Sequence, residues 1–450
     1  MALPLRNLDA GVPCPAEKSA WKSGRMPPLY RKVFMANACG VDFGTSNSTA
    51  GWVQPGKSSL LALEDGKATL PSVVFFNADD DEVSYGRAAL ANYLEGYEGR
   101  LMRSLKSLLG TSLIDGQTEV AGRALPFRLL LAQFIGEVKR RAEQQAGQSF
   151  QHAVFGRPVF FIEGNPEADK EAENTLSDIA RSVGFRQVSF QFEPIAAAFD
   201  YESQIDREEL VLIADIGGGT SDFSLVRLSP QRAGRTDRRN DILATGGVHI
   251  GGTDFDKYLS LASVMPLLGY GSLLQSGAQI PSSYYFNLAT WHTINQAYTR
   301  KSRTQLADLV RDSRERNKLE RLQRLIDERS GHWLAMKVEE GKIALSDSAS
   351  ATLDLDRLSP PEQLVVHRAD FENAIVPLVD AIDRTVLQLL RDASVTVDQV
   401  DTVFFTGGSS GVGLLRARIA ALVPDARKVE GDLFGSIGAG LALDAQRKFG

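Results

Sequence analysis

The sequence predicts an α/β protein built in two halves. Apolar strands alternate with amphipathic helices along most of the chain. One hairpin plan occurs twice, at residues 40–53 and 210–225: a short strand ending in Asp, a tip of glycines or hydroxyls, then a second strand. A third glycine turn follows the apolar strand at 403–405. A chain of 450 residues is also too long for one core.

Bulk properties exclude several classes. Apolar content of 43% and charged content of 24% are ordinary for a globular protein. The net charge of −6 gives no support to a nucleic-acid partner. Cys14 and Cys39 are the only cysteines, which excludes a disulfide framework and a thiolate zinc site. The five histidines show no metal-ligand spacing. No apolar run is long enough to cross a bilayer, so the expected setting is cytoplasmic, without a membrane partner.

Residues 1–34 are polar and interrupted by Pro4, Pro13, Pro15, Pro27 and Pro28. They read as a disordered leader, with Met35 as an alternative start. A strand is expected at 69–76, with Pro71 near its entry, where a missing N–H costs least. Helical spacing is read at 102–109, stopped by Gly110, and again at 129–145, where Leu130, Phe134 and Val138 share a face. A strand at 153–161, a helix from Pro166 to about 183 and a strand at 188–192 follow. Glu193-Pro194 then opens an Ala-rich helix whose small residues permit close packing. After the second hairpin, 246–256 is a glycine turn opening a helix, and 257–365 is mainly helical. Within it, 300–329 is Arg-rich with interleaved acids, the pattern of a solvated helix pair. A long amphipathic helix at 371–390, the strand at 403–405 and a small-residue helix at 435–443 complete the chain.

The hairpins carry the chemistry. Glycines allow turns that bring backbone N–H groups close to a ligand. Gly217, Gly218, Gly219 and Thr220 form one tip, and Gly44, Thr45, Ser46 and Asn47 the other. Bare backbone and hydroxyls suit phosphate oxygens, while Asp42 and Asp215 suit a hydrated Mg²⁺, which prefers oxygen ligands and keeps most of its waters. Two such hairpins from two halves can clamp one nucleotide triphosphate. Neither a Walker P-loop nor a dinucleotide fingerprint followed by a helix is present.

With these residues in order, the chain from about Cys39 onward resembles the nucleotide-binding domain of the Hsp70 chaperones, within the actin, Hsp70 and sugar-kinase superfamily. More narrowly it looks like the YegD-type Hsp70-like proteins. Five motifs occur in the family's order: 40–48, 193–198, 215–222, 251–256 and 406–410. The resemblance implies an actin-like ATPase fold with two lobes, each with an RNase H-like mixed sheet flanked by helices. Lobe I would span 35–209, with a subdomain inserted at about 69–150. Lobe II would span 210–450, with a mainly helical insertion at about 252–365. It implies ATP or ADP with Mg²⁺ as cofactors, Asp42 and Asp215 holding the metal through its waters, and Thr45, Ser46, Asn47 and Gly217–Thr220 meeting the phosphates. Glu193 would orient the attacking water, with Thr220 and Asp222 beside the γ-phosphate. Gly251 and Gly252 match the family's G-G-x-D-F-D turn. Glu339, Lys342 and Ser346 match its adenosine helix, sharing one face at i, i+3, i+7. Gly407, Gly408 and Ser409 would approach the sugar and α-phosphate, and Asp432 would line the adenosine side.

Some positions depart from the family. Its catalytic lysine is expected a few residues after a G-x-P-A pattern, where Gly86-Arg87-Ala88-Ala89 is followed here by Leu90. Slow hydrolysis, or none, is therefore expected unless Arg87 or Lys106 reaches the site. The arginine that stacks on adenine falls at Gly411. The family's peptide-binding half is not read in this sequence, so the expected function is an ATP-binding Hsp70-like protein whose closure an unidentified protein partner or client reads. The alternatives are a pseudo-ATPase scaffold, a filament-forming actin homologue and, less favoured, a small-molecule kinase.

Overall fold

The structure, a computed structural model, describes residues 37–450 apart from 55–58, 79, 81, 121, 163, 234, 236–238 and 433–434. The expected leader and Met35 lie outside the described residues.

Two five-stranded sheets organise the chain, and they share one plan. The first uses β1 (Ala38–Phe43), β2 (Asn47–Gly51), β3 (Leu70–Pro71), β4 (His152–Arg157) and β5 (Gln187–Phe192), in the order β5-β4-β1-β2-β3. The second uses β6 (Glu209–Ile216), β7 (Ser221–Leu228), β8 (Ile242–Val248), β9 (Thr402–Thr406) and β10 (Arg427–Glu430), in the order β10-β9-β6-β7-β8. In each, a hairpin strand lies antiparallel to its successor and parallel to a strand that returns much later in the chain. This is the actin-like ATPase fold, with two mixed sheets flanked by helices. The strands buried on both faces, such as β6, carry continuous apolar runs for that reason, here Val211–Ala214.

Helices Glu193–Glu202 and Ser436–Phe449 lie between the sheets. Ile195, Ala196, Ala197, Val154, Ile213, Phe404 and Leu441 form one buried cluster there. Gly440 faces the Ala196 carbonyl with no room for a methyl, so small residues set the crossing distance of these two helices.

Several expected elements differ. The run 69–76 is not one strand. Leu70–Pro71 pairs with β2, and Val73–Asn77 joins a small separate sheet with Val83–Tyr85 and Gly99–Arg103. The break is Ser72, whose hydroxyl donates to the Gly44 carbonyl at 2.7 Å and lies 2.9 Å from Ser48 Oγ. The helix read at 102–109 is a strand ending at Arg103 followed by a three-ten turn, Leu105–Leu108. Its Leu105 and Leu108 are buried in the first sheet's core, so a three-residue spacing mimicked a helix. The segment 257–365 ends in a missed hairpin, Ser350–Leu355 with Glu362–His367. The Arg-rich stretch is a helix pair, Arg300–Asp312 and Arg316–Asp327, bridged by Arg303 and Asp327 at 2.7 Å. Among the described residues no helix is long and apolar enough to cross a membrane.

Candidate functional site

The two hairpin tips face each other. Gly217 N–H donates to the Thr220 carbonyl at 2.9 Å and closes the second tip. A methyl group at Gly218 would lie 2.5 Å from Ser46 Oγ, and one at Gly219 would lie 3.0 Å from Thr45 Oγ1. Glycine here is thus a requirement of approach. The turn at 251–252 packs beneath the same tip: Gly252 N–H donates to Gly217 O at 3.0 Å and Thr253 N–H to Gly218 O at 2.8 Å. Gly407, at φ +82°, brings the end of β9 against the Asp215 carboxylate, and Gly408–Gly411 continues as a three-ten turn. Gly44 crowds the Asn47 carbonyl within the first tip. Glycine and hydroxyl positions from both halves therefore converge.

Beneath the tips lies a buried ionic cluster. Asp42 stands opposite Thr49 in the first hairpin, and Asp215 stands opposite Asp222 in the second. Glu193 begins the helix after β5 and lies along Gly156, where a side chain would meet its Oε1 at 3.2 Å. Into this cluster comes Lys106, from the three-ten turn, in an ion pair with Glu193; both side chains are buried. Burial pulls the Lys106 ammonium down, but Glu193 and Asp42 outweigh it and hold its proton affinity above the usual lysine value. Burial, reinforced by Glu193, pushes Asp42 and Asp222 each up to about 7. Burial also raises Asp215 well above the carboxylate range, with Glu193, Asp222 and Asp42 adding to it. Asp222 keeps some acidity because Thr220 lies beside it and the Val159 amide donates to its Oδ1 at 2.7 Å.

Among the described residues, Asp215 Oδ1, Asp222 Oδ2 and Thr406 Oγ1 are buried without hydrogen-bond partners. Orphaned buried oxygens are costly and call for a ligand. An all-oxygen donor set suits Mg²⁺. Among the described residues no three His, Cys, Asp or Glu side chains are arranged to ligate a metal directly. The residues present fit a cation held through its waters.

Leu90, the residue at the expected lysine position, does not face the carboxylates. Leu90 is on helix Gly86–Leu94 and packs into apolar clusters with Val73, Phe75 and Tyr93. Arg87 is tied to Glu64 at 3.0 Å and to the Thr69 carbonyl at 2.7 Å. Lys106 is the cation that reaches the carboxylates. Its signal was a lysine between two leucines three apart, which read as an ordinary helix.

The expected adenosine residues are on one helix, Gly331–Asp347, but two are engaged by protein. Lys342 forms an ion pair with Asp256 at 2.8 Å and donates to the Gly252 carbonyl at 3.1 Å, with Ser409 against the same glycine. Glu339 receives both arms of Arg103, one at 2.7 Å. Ser346 faces Gly411, whose side is otherwise open. Asp432 is exposed at the start of the closing helix, where its carbonyl accepts from Ser436 and its carboxylate crowds Gly435. Sequence reasoning missed the Val159 amide and Arg103. The first is backbone and carries no side-chain signal.

The family described as Hsp70 protein matches residues 38–132, 117–264 and 305–442. Curated relatives agree. A chaperone protein HscA homolog of Shewanella sp. (strain MR-4) is 27% identical over 431 residues. One from Shewanella oneidensis is 29% identical over 429, and chaperone protein HscA of Escherichia coli O17:K52:H18 is 27% identical over 433. Each alignment covers 90% of this chain and 58% of the relative, so the chain spans less than two thirds of the length of these proteins. The family match, the paired sheets and the facing glycine tips lead to one conclusion: this chain belongs to the Hsp70 family.

Proposed function

We propose that the chain binds MgATP between its two hairpins and hydrolyses it, as the nucleotide-driven part of an Hsp70-type chaperone resembling the YegD proteins. The observation that carries this is the buried Lys106–Glu193 pair set among Asp42, Asp215 and Asp222 beneath the facing tips. Backbone N–H groups of Gly218 and Gly219 and the hydroxyls of Thr45 and Ser46 would bind phosphate oxygens from opposite sides. Asp42 and Asp215 would hold Mg²⁺ through water, and the ion would supply charge neutralisation on the triphosphate. Lys106 would neutralise charge on the transferring phosphoryl group, which is most of what a protein contributes to this chemistry. Glu193 fixes that ammonium and orients the attacking water. Asp222, with a proton affinity near neutrality and a free Oδ2, is suited to take the water's proton as oxygen bonds to Pγ and the bridging bond to ADP breaks.

Leucine at position 90 argues for slow turnover, and the pairing of Lys106 with Glu193 supports turnover instead. The scaffold reading loses the same support. The hollow lined by Glu64, Arg87, Arg140 and Arg141 does not favour the kinase reading, because its cations are neutralised internally by Glu64 and Glu137. The lobes would divide near residue 209 and close on nucleotide, a two-state motion for a protein partner to read. The test is a thermal shift with MgATP and MgADP, then phosphate release by wild type, Lys106→Ala and Glu193→Ala. Stabilisation by both nucleotides with turnover lost in both variants is expected. No shift at millimolar nucleotide would overturn the reading.

A further inference from the structure

We propose that Ser107 is a γ-phosphate contact, and that it makes the site prefer a nucleoside triphosphate over a diphosphate; this rests on the nucleotide reading above.

The turn Leu105–Leu108 divides its side chains by task. Leu105 and Leu108 are buried and anchor it to the core of the first sheet. Lys106 points into the carboxylate cluster. Ser107 is half-buried on the remaining side, and its hydroxyl lies 3.7 Å from where a Gly219 side chain would begin. Thr45 Oγ1 lies 3.0 Å from the same point, and Ser46 Oγ lies 2.5 Å from where a Gly218 side chain would begin. Three hydroxyls from the first half thus surround the bare tip of the second half. Among the described residues none of the three has a hydrogen-bond partner, and none is sealed from solvent.

A second observation supports a built site rather than a chance surface serine. The turn is entered through Ser104 at φ +57°, ψ +39°, a left-handed conformation that non-glycine residues rarely adopt. Ser104 Oγ is buried and unpaired. Such local cost persists where surrounding structure demands it, and the demand here is to present Lys106 and Ser107 together. Thr45 and Ser46 belong to the first tip, which the nucleotide reading assigns to β/γ-phosphates generally. Ser107 adjoins Lys106, the group assigned to the transferring phosphoryl. Its hydroxyl is therefore placed to donate to an oxygen that ATP carries and ADP lacks.

The experiment is calorimetric titration of the full chain with MgATP and MgADP, for wild type, Ser107→Ala and Ser107→Thr. A lost hydrogen bond to a charged acceptor lowers affinity by roughly tenfold. Ser107→Ala should lose about that factor for MgATP while MgADP binding stays within about twofold, and Ser107→Thr should retain the wild-type preference. The unchanged MgADP affinity is also the check that the variant is folded. Equal losses for both nucleotides, or no loss for either, would overturn the assignment. A wild-type chain that binds neither nucleotide overturns the nucleotide reading and this assignment with it, whereas binding with an unchanged ATP-to-ADP ratio in Ser107→Ala overturns this assignment alone.

Discussion

Two regions join the halves of the molecule, and they treat polar groups in opposite ways. Beneath the tips, carboxylates lie together with the Lys106 ammonium, and among the described residues Asp215 Oδ1, Asp222 Oδ2 and Thr406 Oγ1 lack partners. At the seam above, polar groups are answered. Arg103 grips Glu339 with both arms and stacks 4.4 Å over Trp291. Tyr93 donates to the Arg329 carbonyl at 3.1 Å and accepts from the Trp333 amide at 3.3 Å. His332 lies between the Tyr93 and Trp291 rings, at 6.0 and 5.9 Å. A satisfied network specifies structure, whereas a half-satisfied one costs stability unless a ligand completes it. The seam is therefore complete as it stands, and on the proposed reading a nucleotide would complete the cluster beneath the tips.

The comparison can be broken at its base first. Lys106→Ala should lower single-turnover phosphate release by roughly a hundredfold or more, and should also lower the thermal midpoint, since Glu193 then stays buried and unpaired. Phosphate release within about twofold of wild type would remove Lys106 from the chemistry. Asp222→Asn keeps the shape but removes the charge. We expect turnover to fall by roughly tenfold to a hundredfold with MgATP affinity nearly unchanged. Thr49→Ala, at the matching register of the first hairpin, should leave turnover near wild type, and a comparable fall would mean the two hairpins share the chemistry equally.

The seam is tested by pH. Burial first, then Arg100 and Arg103, pushes His332 down to about 3, against an ordinary value of about 6.5. In the range between, the unfolded chain binds the proton and the folded chain does not. Stability from this group is therefore full above about pH 6.5 and falls as pH drops, by about 2 kcal/mol at pH 5. Asp42 and Asp222, raised to about 7, act with the opposite sign: their contribution falls as pH rises from about 4 toward 7. Denaturant melts of wild type and His332→Phe separate the two. The variant should lose the acid-side fall and keep the carboxylate trend, and parallel curves would show that the imidazole is not held neutral. The smallest effect belongs to Leu90→Lys. A lysine there meets apolar neighbours, so we expect no gain in phosphate release and a loss of about 1 kcal/mol in stability. A gain in turnover would restore position 90 to the site.

What was legible in the sequence follows the same division. Asp42, Asp215 and their glycine tips are local: adjacent residues make the turn and carry its chemistry, so spacing alone finds them. Lys106 is not local. It reaches Glu193, far along the chain, through a turn whose two buried leucines imitate helical periodicity. The hairpin Ser350–Leu355 with Glu362–His367 did leave a signal, alternating Leu353 and Leu355 before Ser359-Pro360-Pro361, but the surrounding helical pattern outweighed it. Arg103 and Trp291 lay in stretches with no motif, and only tertiary packing brings them together. The segment 69–76 is apolar on both sides of Pro71-Ser72, and a Pro near a strand entry reads as an ordinary start, so the change of sheet at Ser72 went unread.

That change of sheet has a mechanical side. Ser72 is the point where the backbone leaves the large sheet for the outer one, and its single hydroxyl is fastened to Gly44 O in the first tip and to Ser48 Oγ on β2. A swing of the outer sheet would therefore pull on the first tip through this one hydroxyl. Removing it with Ser72→Ala should raise amide exchange at Thr45 and at Phe75 together; acceleration at only one of them would show that the two move independently.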